Sequence, residues 1–64
     1  MPTQPVFAPE LRVASILIVD DEDANVRLLA RILGRAGFEK VRTTTRSSEV
    51  MRLFDEEPPD LIVL

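Results

Sequence analysis

Two continuous apolar runs, SILIV at 15–19 and LIVL at 61–64, constrain this chain more than any other feature. A strand with apolar residues at nearly every position has no face to give to water. It must be covered on both sides, as strands are in a parallel sheet flanked by helices. Neither run approaches the length needed to span a bilayer. The stretch between them therefore has to supply the covering layers.

That stretch carries two helical patterns around one short β-prone segment. The first helix is expected over residues 23–36, with Leu28, Leu29, Ile32 and Ala36 on one face. Arg27, Arg31 and Arg35 form a row on the opposite, solvated face, and Asp23 precedes Arg27 by one turn. Gly37 suits a left-handed stop, after which Phe38 can fold back on Leu33. Gly34 lowers helicity in the last turn. Residues 40–44 (KVRTT) have β propensity, and the charges of Lys40 and Arg42 suit an edge strand. A second helix is expected over 47–57, with Val50, Leu53, Phe54 and Glu57 sharing a face and Met51 at its margin. Ser47 or Thr45 is its expected cap, and Pro58 with Pro59 ends it. Residues 1–14 contain Pro2, Pro5 and Pro9 without apolar periodicity and read as a flexible arm. Residues 15–64 form the folded part.

Strand, helix, strand, helix, strand implies an α/β doubly wound sheet with right-handed crossovers. The two apolar strands belong inside and the charged one at the periphery, giving strand order 2-1-3. The connections reverse direction between the first and third strands, and ligands of such sheets bind there, beyond the strands' carboxyl ends. At 64 residues without cysteine the core is small, burying about 60 % of the unfolded surface. Ile16, Ile18, Ile62 and Leu64 are expected to stay partly wet. The 61–64 edge should pair with a partner chain, a second copy or further chain. A net charge of −3 argues against non-specific nucleic-acid binding. No targeting segment is legible, no membrane association is expected, and the lack of cysteine is compatible with a reducing compartment.

Four acids, Asp20, Asp21, Glu22 and Asp23, follow the first strand at that carboxyl edge. One reading is capping of the first helix. The other is a divalent-ion site, because crowded carboxylates repel each other unless a cation joins them, and hard ions such as Mg2+ take one or two carboxylates plus water or phosphate oxygens. Spacing alone leaves both open. Asn25 is expected on the buried face of the first helix, either as a satisfied structural amide or as a group orienting the acidic pair.

The string Ile16-Leu17-Ile18-Val19-Asp20-Asp21-Glu22 resembles the first strand and acidic pocket of response-regulator receiver domains, which are flavodoxin-like. Asn25, Leu28 and Leu29 continue the resemblance into the first helix, and Gly37-Phe38 is similar to its end. Pro59-Asp60-Leu61-Ile62-Val63-Leu64 resembles the family's third strand, which leads into the phosphoacceptor aspartate. The resemblance covers residues 15–64, the first β-α-β-α-β portion of such a domain. It implies Asp21 as a direct Mg2+ ligand and Asp20 as a ligand mainly through water. Glu22 has a less defined supporting role, as does Asn25. It implies a cytoplasmic signalling module that is not itself an enzyme, receiving a phosphoryl group from a histidine kinase or histidine phosphotransfer protein on an aspartate expected just after Leu64. Val26 and Ala30 flank the apolar stripe and read as its edge, while the resemblance also allows them to belong to the partner-docking surface of the first helix.

Two other readings compete. Half of a nucleotide- or flavin-binding α/β enzyme would need a phosphate cradle after the first strand, and neither glycine, Gly34 nor Gly37, stands there. A phosphorylation-independent interaction domain would share the fold without needing the intact acidic pair.

Overall fold

The computed structural model describes residues 12–64. Most of the arm expected over 1–14 lies outside the described residues. Residues 12 and 13 form a turn, and the Arg12 carbonyl accepts the Glu39 N–H at 3.0 Å. The chain then runs β1 (Ser15–Val19), α1 (Asp23–Arg35), β2 (Lys40–Thr44), a 3-10 turn (Ser47–Glu49), α2 (Val50–Glu56) and β3 (Leu61–Val63). The strands make one parallel sheet in the order β2-β1-β3. Ser15 pairs with Lys40 at one end and Val19 with Thr44 at the other, while Ile16, Leu17 and Ile18 face Leu61, Ile62 and Val63. Every residue of β1 is buried, as a central strand covered on both faces requires.

Successive side chains of β1 point to opposite faces. Ile16 and Ile18 join Val26 of α1 in the core, with Leu29, Ala30, Leu33, Phe38, Val41 and Val63 packed around them. Leu17 faces the other side, beside Arg42 in the β2 register, and the Arg42 guanidinium reaches α2 from there. Each face of the sheet thus carries one helix.

The rotation of α1 differs from the expected one. Val26 is 4 % exposed at the core, whereas Leu28 and Ile32 are 56 % and 52 % exposed. The buried stripe is Val26, Leu29, Ala30 and Leu33, so Val26 and Ala30 lie under the helix and not at a docking edge. The cause is the short connection from β1. The Asp20 carboxylate accepts the Glu22 N–H at 2.8 Å, and the Glu22 carbonyl accepts the Asn25 and Val26 amides at 3.1 Å. This tight turn fixes the phase at which the helix meets the sheet. It also leaves Asn25 exposed, contrary to its expected burial.

The α1 ending is the expected one, one residue early. Phe38 N–H donates to the Leu33 carbonyl and Gly37 N–H to the Gly34 carbonyl, each at 3.1 Å, with Gly37 at φ 103°. These two bonds form a Schellman motif, which requires a left-handed residue at the glycine position. The second helix opens instead with a 3-10 turn whose N-cap is Arg46, and neither Ser47 nor Thr45 caps it. Arg42 does not guard the sheet edge as a free charge. Its Nη1 donates to the Leu53 carbonyl at 2.9 Å and its Nη2 to the Glu57 carbonyl, satisfying the last turn of α2.

Ile16 and Ile18 are fully buried, because α1 covers their face and strands flank both sides. The wetting expected of them is absent. Leu61, Ile62 and Leu64 are exposed, Leu64 by 89 %, and among the described residues no strand lies beyond β3. Below β3, Ser15 and Asp60 clamp the strand starts together. The Ser15 N–H donates to Asp60 Oδ2 and the Asp60 N–H to the Ser15 carbonyl, both at 2.8 Å.

Candidate functional site

Parallel packing brings the carboxyl ends of all three strands to one edge. Asp20 leaves β1 there, between the ends of β2 and β3. Its N–H donates to the Thr44 carbonyl at 3.3 Å, one step beyond the β1–β2 ladder. Its side chain is half-buried, with Oδ1 accepting the Glu22 N–H and Oδ2 accepting Asn25 Nδ2 at 3.4 Å. The Asp21 side chain is exposed. The Glu22 amide holds the Asp20 carboxyl below the ordinary carboxylate range, against the opposing effect of partial burial. The Asn25 side chain lowers it further. Asp20 is therefore ionised at neutral pH and oriented by two donors.

Of the four consecutive acids, Asp20 and Asp21 follow directly on the carboxyl end of β1, whereas Asp23 already belongs to α1. Asp23 faces Arg27 at 3.8 Å, an exposed pair one helical turn apart. Glu22 is the N-cap residue of α1, and no side chain caps that helix. Capping by side-chain hydrogen bonds therefore does not explain the acidic run. Among the described residues no three acidic side chains form a group that could hold a metal. The donor set is a pair of carboxylates open to solvent on one side. A pair suits a hard divalent ion that keeps several waters, since such ions use one or two carboxylates and fill their remaining positions with water and phosphate oxygens.

Asn25 donates to Asp20 and is no core amide. Thr44 was not legible as part of the site, yet it is buried at the pocket wall with both its carbonyl and its hydroxyl engaged. The available signal was period-2 alternation in β2, which puts Val41 and Thr43 on one face and Arg42 and Thr44 on the other. On the outer side of α1, Ala24, Arg27, Leu28 and Arg31 line a shallow depression of about 260 Å³.

The model for the response regulator receiver domain matches residues 16–64, most of the chain. The chain belongs to the response regulator receiver domain family. It is a receiver segment of two-component signalling, and its three-stranded sheet in the order 2-1-3 is the first part of the flavodoxin-like receiver fold. It is also similar to the alkaline phosphatase synthesis transcriptional regulatory protein PhoP of Bacillus subtilis (strain 168), with 43 % identity over 49 residues. That match covers 77 % of this chain and 20 % of the relative, so the chain spans about a fifth of the relative's length. No solved structure matches the chain. No observation favours a nucleotide- or flavin-binding half-enzyme or a phosphorylation-independent domain. Receiver domains are in general signalling modules that bind Mg2+ and meet histidine kinases or phosphotransfer proteins. No helix among the described residues is long and apolar enough to cross a membrane.

Proposed function

We propose that this receiver segment supplies the Mg2+-binding half of a phosphoryl-transfer pocket, with Asp21 as the direct carboxylate ligand and Asp20 acting mainly through water. The observation that carries this reading is the pair of adjacent carboxylates at the carboxyl edge of the sheet, one locked and one free. Asp20 spends its two oxygens on the Glu22 amide and Asn25, which fixes its direction. Asp21 faces solvent and is available to a metal. Asn25 has a supporting role here, orienting Asp20 from the first turn of α1, and Glu22 contributes through its backbone N–H. When bound, Mg2+ would neutralise charge on the oxygens of an incoming phosphoryl group. The acceptor aspartate is expected just after Leu64, at the end of β3 and across the switch point from Asp20. In this reading Asp20 and Asp21 hold the metal and neither is the phosphoryl acceptor.

The partner in this reading is a histidine kinase or histidine phosphotransfer protein, and the compartment is the cytoplasm. The outer face of α1, where Ala24 and Leu28 run alongside Arg27 and Arg31, supports docking of that partner. Val26 and Ala30 take no part, because they pack against β1. The exposed edge of β3 accepts a further strand, from continuing receiver chain or from a second copy.

Mg2+ titration followed by calorimetry tests the metal reading. Asp21→Ala should lose more affinity than Asp20→Ala, with a loss of roughly tenfold or more for Asp21→Ala. Equal binding by the wild type and Asp21→Ala would remove Asp21 from the site.

A further inference from the structure

The hydroxyl of Thr44 stands behind the acidic pocket and joins it to the second helix. It accepts the Arg46 N–H at 3.0 Å, closing a small turn immediately after β2. Two acceptors face its single proton, Glu49 Oε1 at 2.8 Å and the Arg46 carbonyl at 3.3 Å. The carboxylate is nearer and charged, so it takes the proton. Glu49 is held in turn by Arg52, at 3.2 Å from its other oxygen, and Arg52 also pairs with Glu56 at 2.7 Å. Thr44 is buried, so its hydroxyl has few alternatives in water.

The consequence lies in the backbone. A hydroxyl that accepts the N–H two residues ahead restrains the torsion between its own Cα and carbonyl carbon. That torsion aims the Thr44 carbonyl, and the Thr44 carbonyl accepts the Asp20 N–H. We infer that Thr44 is a positioning residue of the acidic pocket, its hydroxyl oriented by Glu49 of the turn before α2 so that its carbonyl anchors the Asp20 amide. The Asp20 carboxylate is thereby fixed from two directions, by Glu22 and Asn25 ahead of it and by Thr44 beside it. α2 and the pocket become mechanically linked through Glu49. The part of this inference that concerns metal rests on the proposed Mg2+ site, whereas the anchoring of Asp20 stands without it.

The test is amide hydrogen exchange by NMR on the full chain, read as the ratio of the Asp20 rate to the Ile18 rate, with Mn2+ affinity measured alongside. Thr44→Val should raise the ratio about five- to tenfold, the effect of losing one well-supported hydrogen bond. It should weaken Mn2+ binding roughly tenfold, as loss of a group that orients a ligand does. Thr44→Ser keeps the hydroxyl and should restore both. Glu56→Gln, which breaks only the outer Arg52 pair, should leave both unchanged. If Thr44→Val does not fold, Glu49→Ala keeps Thr44 and removes the orienting carboxylate, and the same rise in ratio is expected. An unchanged ratio in the folded variants, or a proportional rise at Asp20 and Ile18, overturns the inference by showing that the hydroxyl only stabilises the fold. A wild type that binds no Mn2+ would refute the metal reading, and the exchange ratio would still decide for or against Thr44.

Discussion

Alanine placed at the two glycines of α1 and its stop should move stability in opposite directions, although they lie only three residues apart. Gly34 is inside the helix, exposed, and a Cβ built there meets nothing within 4 Å. Gly34→Ala therefore removes backbone freedom from the unfolded chain at no steric cost, a gain of about 0.5–1 kcal/mol. Gly37 sits at φ +103°, in the left-handed region. A side chain there costs about 1–2 kcal/mol. The added Cβ would also lie 3.0 Å from Arg12 Nε and 3.2 Å from its Cδ, but these belong to a flexible side chain that can swing aside. The conformational term dominates, and the two variants should differ by about 1.5–3 kcal/mol. For a domain of this size each kcal/mol shifts the midpoint by about 4–8 °C, so the two melting curves should stand roughly 6–24 °C apart with wild type between them. Far-UV circular dichroism at one fixed chain concentration reads this, and urea unfolding should show an unchanged slope. A Gly37→Ala midpoint equal to wild type, or a destabilised Gly34→Ala, would refute the Schellman ending and the phase of α1 that it anchors.

Glu49 has its carboxyl held below the ordinary range, chiefly by the Thr44 hydroxyl, so its folded value lies under its unfolded one. Its contribution to stability should be fully present above the unfolded value of about 4.3 and be lost as pH falls through the folded value. Glu49→Gln should flatten that acidic part of a stability-against-pH curve, and an unchanged curve would contradict the assignment. Arg42→Met keeps the aliphatic stem but releases the Leu53 and Glu57 carbonyls, and should cost about 1–3 kcal/mol by urea denaturation. The 64-residue chain incubated with acetyl phosphate and Mg2+ should gain no phosphoryl group on Asp20, Asp21 or Asp60, as read by intact mass. A stoichiometric adduct on any of them would contradict the proposed division of roles.

The strands, their order and the pocket edge were legible because apolar continuity and element order leave few alternatives for a parallel sheet. The Gly37 stop was legible for a similar reason, since few residues tolerate its torsion. The phase of α1 was not. Residues 26, 28, 29, 30, 32, 33 and 36 are all apolar and form two overlapping stripes that share Leu29. Leu28 and Val26 stand about 160° apart around the helix. The larger side chains favoured the stripe with Leu28 and Ile32, whereas the turn made by Asp20 and Glu22 selects the one with Val26 and Ala30. Asn25 followed the same error, and its exposure is what lets it reach Asp20. Arg42 and Thr44 were hidden for a different reason. Their partners are backbone carbonyls and a carboxylate brought near by the packing of α2, and no spacing in the sequence encodes that contact.

A divalent ion at Asp20 and Asp21 would sit on the carboxyl edge of the receiver sheet. Mn2+ added at substoichiometric amounts to isotope-labelled chain broadens amide signals close to wherever it binds. Binding at this pair should selectively broaden residues 20–22, Thr44 and Thr45 and the end of β3, all abolished by Asp21→Ala. Broadening spread over the acids of α2, or unchanged by Asp21→Ala, would contradict it.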